Sequence, residues 1–336
     1  MKSRLFTSFG RAALIGAVAM AAGLFGGEAQ ALDKVKFGTD WIAEAEHGGF
    51  YQAKALGIYE KYGLDVEIVP GGPQVNNPQL VATGALDLAS LSSAYLPIIY
   101  TKEGIPVIAV AAFYQKNPTI LMAHKEAGLK SLGDMKGKPI MVSSYAQDSY
   151  WPWLRSNFGF TDDQMRPYTF NQGPFLADKS AIEQGYVSSE PYTVELEGAH
   201  PQVFLLADNG FNDYASILSA RKDMIEKKPD VIERFIKASV EGWISFLTQD
   251  PSKAYALIQK DNPDMKLEVM KRARELMIQY GIVDSGDTKK LGIGAMTDEK
   301  WAAIFKQMQA SGLAKDGMDP KSAYTLQFVD KGFGVK

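Results

Sequence analysis

Apolar and polar positions along the first third of the chain predict strands and helices in alternation. Residues 64–69 alternate strictly between apolar and polar side chains, which is typical of a half-buried strand. Apolar runs predict further strands at 35–40, 86–91 and 107–113, and helical spacing predicts helices at 49–56 and 77–82. Gly57 and Gly84 follow the two helices and are suited to end them. This β-α-β-α-β order predicts a doubly wound α/β sheet.

A second series of the same kind begins after residue 136. Strands are predicted at 140–144, 168–172 and 181–187, and an aromatic segment follows the first of them at 145–158. Helical periodicity dominates from Pro229 onward. We therefore expect two lobes, the first at 32–123 plus 220–336 and the second at 124–219. The chain would cross between them near His124 and Ala220, and the C-terminal helices would return to cover the first lobe.

The N-terminus has the pattern of a cleavable signal peptide at residues 1–31. Lys2, Arg4 and Arg11 are basic, residues 12–25 are apolar or small, and residues 29–31 have a small-x-small form. The apolar run is shorter than the ~20 residues that span a bilayer, so no direct membrane insertion is expected. Because the sequence has no cysteine, a lipid-modified cysteine, disulfides and thiolate metal sites are excluded. We expect a freely diffusing, secreted periplasmic protein of a Gram-negative cell.

Composition narrows the function further. A formal net charge of -3 gives no reason to expect nucleic acid or anionic lipid as a partner, and 336 residues favour two lobes. His47, His124 and His200 lack metal-ligand spacing, and the sequence has neither a G-x-S-x-G elbow nor a nucleotide-binding loop. No cofactor and no metal are expected. Composition leaves a two-carboxylate hydrolase open, but no pair of carboxylates is singled out.

Several segments together resemble a known family. Residues 40–54 read DWIAEAEHGGFYQAK, Gly84-x-x-Asp87 precedes the third strand, residues 132–138 read LGDMKGK, and Glu190-Pro191-Tyr192 follows a strand of the second lobe. They are similar to periplasmic solute-binding proteins for thiamine-precursor pyrimidines, which group with the nitrate, sulfonate, taurine and riboflavin binders of ABC importers. The resemblance implies a type II periplasmic binding protein. Two doubly wound lobes on two hinge crossings would close over one small molecule, and a monomer would present it to an ABC permease in the inner membrane.

Ligands of such sheets sit beyond the carboxyl ends of the strands, so the loops at 40–51, 71–77 and 92–95 are expected to line the site. Trp41 follows a strand end and suits stacking on a planar ring, whereas Glu44 and Glu46 favour a ligand with N–H donors. The candidate ligand-binding residues are Trp41, Glu46, His47, Tyr51, Ser92, Ser93, Tyr95, Ser144, Tyr145, Gln147, Asp148, Trp151, Gln172, Gly173 and Glu190.

Structural roles stay open for several of these residues. His47 could bind the ligand or fix its own loop, and the serines could cap loops. Glu190 could accept a hydrogen bond from a pyrimidine amine or complement a helix dipole. One or two rings of the aromatic segment should belong to the core.

A small planar solute, foremost a pyrimidine of the thiamine-precursor type, is the expected ligand. The alternative is an aromatic or aliphatic carboxylate, a sulfonate, taurine or nitrate, which would require an arginine or a run of backbone donors in the cleft. A rival of another class is an enzyme, because the same fold includes a eukaryotic pyrimidine synthase with a reactive lysine and histidine. Those two family positions fall at Leu91 and Tyr95 here, so enzymatic activity is not expected.

Overall fold

The computed structural model describes residues 31–73, 75–169 and 171–335. Apart from Ala31, the predicted signal peptide lies outside the described residues. Within the described residues, no helix is long and apolar enough to cross a membrane.

The described residues form ten strands in two five-stranded sheets. The strands are β1 (Asp33–Gly38), β2 (Leu64–Val69), β3 (Leu88–Leu91), β4 (Val107–Tyr114), β5 (Thr119–His124), β6 (Ile140–Val142), β7 (Met165–Pro167), β8 (Ile182–Tyr186), β9 (Pro201–Leu205) and β10 (Ala215–Arg221). The first sheet has the order β2-β1-β3-β10-β4 and the second has the order β7-β6-β8-β5-β9. This arrangement confirms the predicted α/β class.

Each sheet contains one antiparallel strand that follows directly, along the chain, after a strand of the other sheet. In the first sheet β1 pairs in parallel with β2 and β3, whereas β10 runs antiparallel to β3 and β4. In the second sheet β6 pairs in parallel with β7 and β8, whereas β5 runs antiparallel to β8 and β9. The sequence analysis missed β5, β9 and β10, since a short apolar run does not reveal a distant antiparallel partner.

The chain passes from the first sheet to the second at 115–118, between β4 and β5, and returns at 206–214, between β9 and β10. Both lie several residues before the predicted crossings near His124 and Ala220, because β5 belongs wholly to the second sheet and β10 to the first. A hydrogen bond from Asn117 Nδ2 to Asp213 Oδ2, 3.1 Å long, ties the passages together. The assignment of the remaining residues to two lobes stays a prediction.

Helices fill the space around both sheets. They are α1 (Gly48–Ala55), α2 (Ile58–Lys61), α3 (Asn77–Thr83), α4 (Tyr95–Lys102), α5 (Tyr150–Phe158), α6 (Gly173–Ala177), α7 (Glu190–Leu196), α8 (Lys222–Lys227), α9 (Pro229–Thr248), α10 (Ser252–Asp261), α11 (Leu267–Gln279), α12 (Thr288–Leu291) and α13 (Asp298–Ala310). The predicted strand at 168–172 is wrong: Tyr168 and Thr169 lie in a loop after the short edge strand β7. β7 is mostly exposed and carries no apolar alternation to reveal it.

The first sheet is supported by close packing of α1 on α9. A Cβ added at Gly242 would lie 2.3 Å from the carbonyl oxygen of Gly49, so only glycine permits this approach. Beneath the helices, Phe50 contacts Phe37, with ring centroids 4.6 Å apart, and Trp243, 5.7 Å away. Helix α9 therefore packs closely on α1 and anchors the start of α1 beside the cleft.

Candidate functional site

Two adjoining spaces lie where strand ends of the two sheets face each other. One is an open groove of about 300 Å³, and the other is a small, more enclosed cavity of about 20 Å³. Asp40, Trp41, Ser92 and Tyr145 line both. A larger depression of about 590 Å³ is lined by residues of α2, α9 and the C-terminal segment, away from this cleft.

The loops after β1 and β2, the start of α3 and the end of β3 are bound to one another and hold Trp41 in place. The Gly71 N–H donates to the carbonyl oxygen of Trp41 at 2.9 Å, and a Cβ at Gly71 would lie 2.2 Å from the oxygen of Thr39. Asn77 Nδ2 donates to the oxygens of Thr39 at 2.8 Å and Ser90 at 3.3 Å. These segments therefore form one connected rim of the groove.

Aromatic rings approach from both sides of the cleft. Trp41 lies edge-on to Tyr145, with centroids 6.5 Å apart and an interplanar angle of 89°. It is nearly parallel to Tyr168, at 6.4 Å and 17°. Trp41 follows a strand of the first sheet, whereas both tyrosines follow strands of the second. The cleft can therefore present flat apolar surfaces to a planar ligand from two directions.

Carboxyl groups dominate the polar lining. Asp40, Glu44 and Glu190 all line the small cavity. Burial raises the pKa of Glu190 to about 7. Burial, together with the charges of Glu46 and Glu190, raises the pKa of Glu44 well above its ordinary value. No lysine or arginine occurs among the described residues that line the groove or the cavity, so the charged side chains of this lining are all carboxyl groups.

Asp40 differs from the other carboxyl groups because it is paired with a histidine. Its Oδ1 lies 3.2 Å from Nε2 of His47. Burial alone would raise the pKa of Asp40, but hydrogen bonds to His47 and Ser90 and the charge of His47 outweigh it and lower that pKa. His47 is buried and is not among the residues that line the two spaces. It therefore holds Asp40 ionised at the rim.

Glu46 connects the two sheets. The Ser188 hydroxyl, just after β8, donates to the Glu46 carboxylate, and the Tyr114 hydroxyl at the end of β4 donates to the Glu46 backbone oxygen. Burial raises the pKa of Glu46, although the Ser188 hydrogen bond opposes this. Glu46 therefore bridges the sheets behind the cavity.

Glu190, at the start of α7, is held by donors from two segments. Its Oε1 accepts from the Tyr168 hydroxyl at 3.2 Å, and its Oε2 accepts from the Tyr186 N–H at 2.6 Å. Gly185 makes room for it, because a Cβ there would lie 2.8 Å from Glu190 Oε2. The carboxyl group is thus fixed in direction at the cavity wall.

Seven candidate residues from the sequence line the groove or the cavity. They are Trp41, Ser92, Ser144, Tyr145, Gln147, Asp148 and Glu190. Glu46, His47 and Gln172 contact other polar side chains of the region instead: Gln172 Nε2 donates to the Tyr168 hydroxyl at 2.9 Å.

Tyr51 and Tyr95 are placed elsewhere. The Tyr51 hydroxyl donates to Asp261 at 2.8 Å and ties α1 to α10, and the Tyr95 hydroxyl donates to Gln307 at 3.2 Å and ties α4 to α13. Each tyrosine sits on a helix that follows a cleft loop, but the helix turns its ring toward another helix. We therefore leave both out of the proposed site.

Ser93, Trp151 and Gly173 also have local structural roles. The Ser93 hydroxyl accepts from the Tyr95 N–H at 3.1 Å at the start of α4. Trp151 is buried and donates to Asp162 at 3.1 Å. Gly173 is exposed, and its N–H donates to Asn171 at 2.9 Å. These contacts account for the three residues without a ligand.

The candidate set lacked several residues of the cavity wall. Asp40, Glu44, Gln184, Gly185 and Tyr186 line the cavity. The last three end the strand predicted at 181–187, so the rule that ligands meet the carboxyl ends of strands could have found them. Asp40 ends the strand predicted at 35–40 and carried the same signal.

Comparison with known proteins identifies the family. A family model described as NMT1/THI5 like matches residues 44–254. The chain belongs to this family. It is 23% identical over 309 residues to the riboflavin-binding protein RibY of Chloroflexus aurantiacus, covering 90% of this chain and 87% of RibY. It is 21% identical over 291 residues to the formylaminopyrimidine-binding protein of Halalkalibacterium halodurans, covering 84% and 86% of the two chains.

Two further matches concern the fold and the rival activity. The periplasmic aliphatic sulphonate binding protein SsuA of Escherichia coli aligns with a TM-score of 0.61 at 17% identity, covering 84% of this chain and 91% of SsuA. This confirms the predicted two-lobe periplasmic binding protein fold. A 4-amino-5-hydroxymethyl-2-methylpyrimidine phosphate synthase of Legionella pneumophila is 23% identical over 235 residues, covering 68% of this chain and 73% of the synthase. The family therefore contains both binding proteins and synthases.

Proposed function

We propose that this protein binds a small planar heterocycle with N–H donors, of the thiamine-precursor pyrimidine class, and delivers it to an ABC permease from the periplasm. One observation carries the proposal: rings from both sheets and a set of carboxyl groups meet in a cleft whose described lining has no lysine or arginine. Binding without chemistry, the monomeric state and the periplasmic location are parts of the same proposal.

The carboxyl groups favour N–H donors over anions. An amino group on a ring can donate to Glu190 or Glu44, whereas a sulfonate or nitrate would meet these carboxyl groups with no cationic side chain of the lining to balance them. Anion sites need cationic side chains or free backbone N–H groups. Arg155 is occupied by Asp162 at 2.9 Å, and Arg166 donates to the backbone oxygens of Asp163 and Met165. Neither arginine lines the cleft.

The size of the groove favours a single ring. Ligand pockets begin at roughly 300 Å³, and the groove has about 300 Å³. The names of the relatives refer to riboflavin, which has three fused rings and a ribityl chain, and to a formylaminopyrimidine, which has one ring. A one-ring pyrimidine fits this volume better.

A synthase needs reactive groups that are not found in this cleft. Leu91 lines the groove, and Tyr95 is engaged with Gln307. The family resemblance of the sequence places the synthase lysine and histidine at these two positions. No described residue of the lining is a lysine, which supports capture over synthesis.

The first experiment is mass spectrometry of any compound that co-purifies, followed by thermal-shift and calorimetric titration. The ligands are a 4-aminopyrimidine, riboflavin, taurine, an alkanesulfonate and nitrate. A bound ligand raises the melting temperature with concentration, and we expect this for the aminopyrimidine. Tighter binding of a sulfonate or nitrate, or turnover of the aminopyrimidine by the pure protein, would contradict the proposal.

The matched variants are Trp41→Ala in the cleft and Tyr62→Ala outside it. Loss of a stacking partner should weaken aminopyrimidine binding at least tenfold, or about 1.4 kcal/mol. Tyr62 lies in the large depression by α2 and α9, so its variant should bind as the wild type does. Equal affinity for the Trp41 variant would remove Trp41 from the site.

A further inference from the structure

Gln184 lies near the end of β8, is buried, and lines the small cavity. Its carbonyl oxygen Oε1 accepts two hydrogen bonds, from the Ser143 N–H at 2.7 Å and from the Tyr150 hydroxyl at 2.5 Å. Ser143 directly follows β6, and Tyr150 is the first residue of α5. The end of the neighbouring strand and the helix after it therefore hold the amide of Gln184 by its oxygen.

These two contacts fix the direction of the amide group. A backbone N–H can only donate, so the atom of Gln184 that faces Ser143 has to be the carbonyl oxygen. A reversed amide would turn its NH₂ group toward the Ser143 N–H and leave two buried donors facing each other. The NH₂ group of Gln184 therefore lies on the side of the amide that faces away from Ser143.

The amide also acts on Tyr145, which lines both the cavity and the groove. Burial raises the pKa of Tyr145, and hydrogen bonding by the Ser143 and Gln184 side chains opposes this rise. An amide that lowers the pKa of a tyrosine does so by donating to its oxygen. Because an NH₂ group has two hydrogen atoms, one can serve Tyr145 while the other is left for the cavity.

A carboxyl group reaches the same cavity from the other face of the sheet. Successive side chains of a strand point to opposite faces. A Cβ added at Gly185, the residue after Gln184, would lie 2.8 Å from Glu190 Oε2. Gln184 and Glu190 therefore approach the end of β8 from opposite faces, and both line the cavity there. The cavity wall thus offers an amide donor on one side and a carboxyl group on the other.

We propose that the Gln184 NH₂ group donates a hydrogen bond to a ring nitrogen of the ligand while Glu190 accepts from its amino group, so that Gln184 selects a nitrogen heterocycle over a carbocyclic amine. The contact with a ligand rests on the proposed function, but the direction of the Gln184 amide does not.

The chemistry of an amide donor explains why it selects. The hydroxyl groups of Ser92 and Tyr145 in the same lining can donate or accept, whereas an NH₂ group only donates. A ring without an acceptor would leave this buried donor unpaired, and sites built around a hydrogen bond discriminate strongly against ligands that lack its partner. Aniline is such a ligand, because it has the amino group and the ring shape of 4-aminopyrimidine but no ring nitrogen.

The experiment is calorimetric titration with 4-aminopyrimidine and aniline at neutral pH, where both are uncharged. The readout is the ratio of the two affinities, since general damage to the cleft weakens both ligands alike. Wild type should prefer 4-aminopyrimidine at least tenfold, and Gln184→Met, which lacks the donor, should reduce the preference to about threefold or less. A Gln184→Met protein that keeps the full preference would overturn the proposal.

Gln164→Met is the matched control. Gln164 is also a buried glutamine of the second half of the fold, and its amide donates to the backbone oxygens of Met135 at 3.0 Å and Lys138 at 2.8 Å. It lines neither the groove nor the cavity. The control should therefore keep the wild-type preference, and denaturant unfolding of both variants should show that they fold. Equal losses of preference in the two variants would also contradict a specific role of Gln184.

A second measurement needs neither a ligand nor a variant. Neutron diffraction from crystals of the deuterated wild-type protein locates the deuterium atoms of the Gln184 amide directly. The atom that faces the Ser143 N–H should carry none, and the ND₂ group should lie toward Tyr145. An ND₂ group that faces Ser143 would overturn the inference, whether or not Gln184→Met folds.

The outcomes separate this inference from the proposed function. If wild type binds 4-aminopyrimidine and aniline equally well, the proposed function stands and the role of Gln184 fails. If wild type binds neither compound, the proposed function and the ligand contact of Gln184 fail together, and the neutron result still decides the direction of the amide.

Discussion

The two sheets have the same relative strand order but differ in the polar side chains that they bury. Each places its first three strands in the order second, first, third, followed by the strand that enters from the other sheet and then by the fourth. Buried polar residues on the strands of the first sheet are serines such as Ser90 and Ser219, whereas those of the second include Glu183, Gln184 and His124. The same topology therefore holds small hydroxyl side chains in one sheet and larger polar side chains in the other.

The two sheets also contribute differently to the cleft. The first sheet is covered by aromatic packing between α1 and α9, which holds the loop of Trp41 and Asp40. The second sheet supplies Tyr145, Tyr168 and Glu190, whose directions depend on buried polar neighbours. Topology brings the strand ends together at one cleft, and hydrogen bonds from the Tyr168 hydroxyl and the Tyr186 N–H orient the Glu190 carboxyl group there.

The largest expected effect comes from breaking the aromatic interior of the first sheet. Trp243→Ala should lower the free energy of unfolding by about 3–5 kcal/mol, because a fully buried ring leaves a cavity. Trp243→Phe is the control: the indole N–H has no partner among the described residues, so phenylalanine keeps most contacts and loses no hydrogen bond. Denaturant unfolding measures both, and similar losses would argue against a packing role.

A smaller effect should come from the glycine beneath Glu190. In Gly185→Ala the new Cβ would approach Glu190 Cβ and Oε2 at 2.8 Å and push the carboxyl group out of position. We expect aminopyrimidine affinity to fall about tenfold, equivalent to about 1.4 kcal/mol. Gly133→Ala is the matched control, since its Cβ would meet Ser131 Oγ at an ordinary 3.5 Å. Calorimetry on both variants would show whether the loss is specific to position 185.

The smallest effect is a pH dependence. Burial raises the pKa of Glu190 from 4.5 to about 7, so the folded protein holds a proton that the unfolded chain releases above about pH 4.5. Through this group, stability is highest at low pH, falls as the pH rises toward 7, and is constant beyond. Glu183 and Asp213, with pKa values raised by burial to about 9 and about 7, act in the same direction.

Glu190→Gln should therefore lose stability less steeply than wild type between pH 5 and pH 7, within the window set by the Glu190 shift. Urea unfolding of the ligand-free proteins at several pH values measures the slopes. Parallel curves for the two proteins would show that Glu190 has an ordinary pKa.

The local pattern of apolar and polar residues predicted some strands and helices correctly and missed others. β2 was predicted at its observed bounds because strict alternation marks a half-buried strand. The start of α3 at Asn77 and the positive φ of Gly84 after it were also predictable from the chain nearby. β7 was missed because it is a three-residue edge strand with mostly exposed side chains, and its loop at Tyr168 was taken for the strand itself.

The residues that line the groove and the cavity were only partly predictable from the sequence, and their role as a binding site stays a prediction. Trp41, Ser92 and Tyr145 follow strand ends, and the rule for doubly wound sheets placed them correctly beside the groove. Tyr51 and Tyr95 follow the same loops, yet their rings turn to Asp261 and Gln307. The direction in which each ring turns depends on a hydrogen-bond partner that lies 210 or 212 residues away in the sequence. No local sequence pattern predicts such a partner.

By itself, the sequence determined the α/β class, the alternation of elements and the loops that meet at the cleft, because each of these follows from short-range periodicity and strand order. The tertiary structure alone decided the passages between the sheets, the pairing of Asp40 with His47, and the hydrogen bonds from Gln172 through Tyr168 to Glu190. Burial and hydrogen-bond direction set the charge of a carboxyl group, and both depend on residues that only the fold brings together.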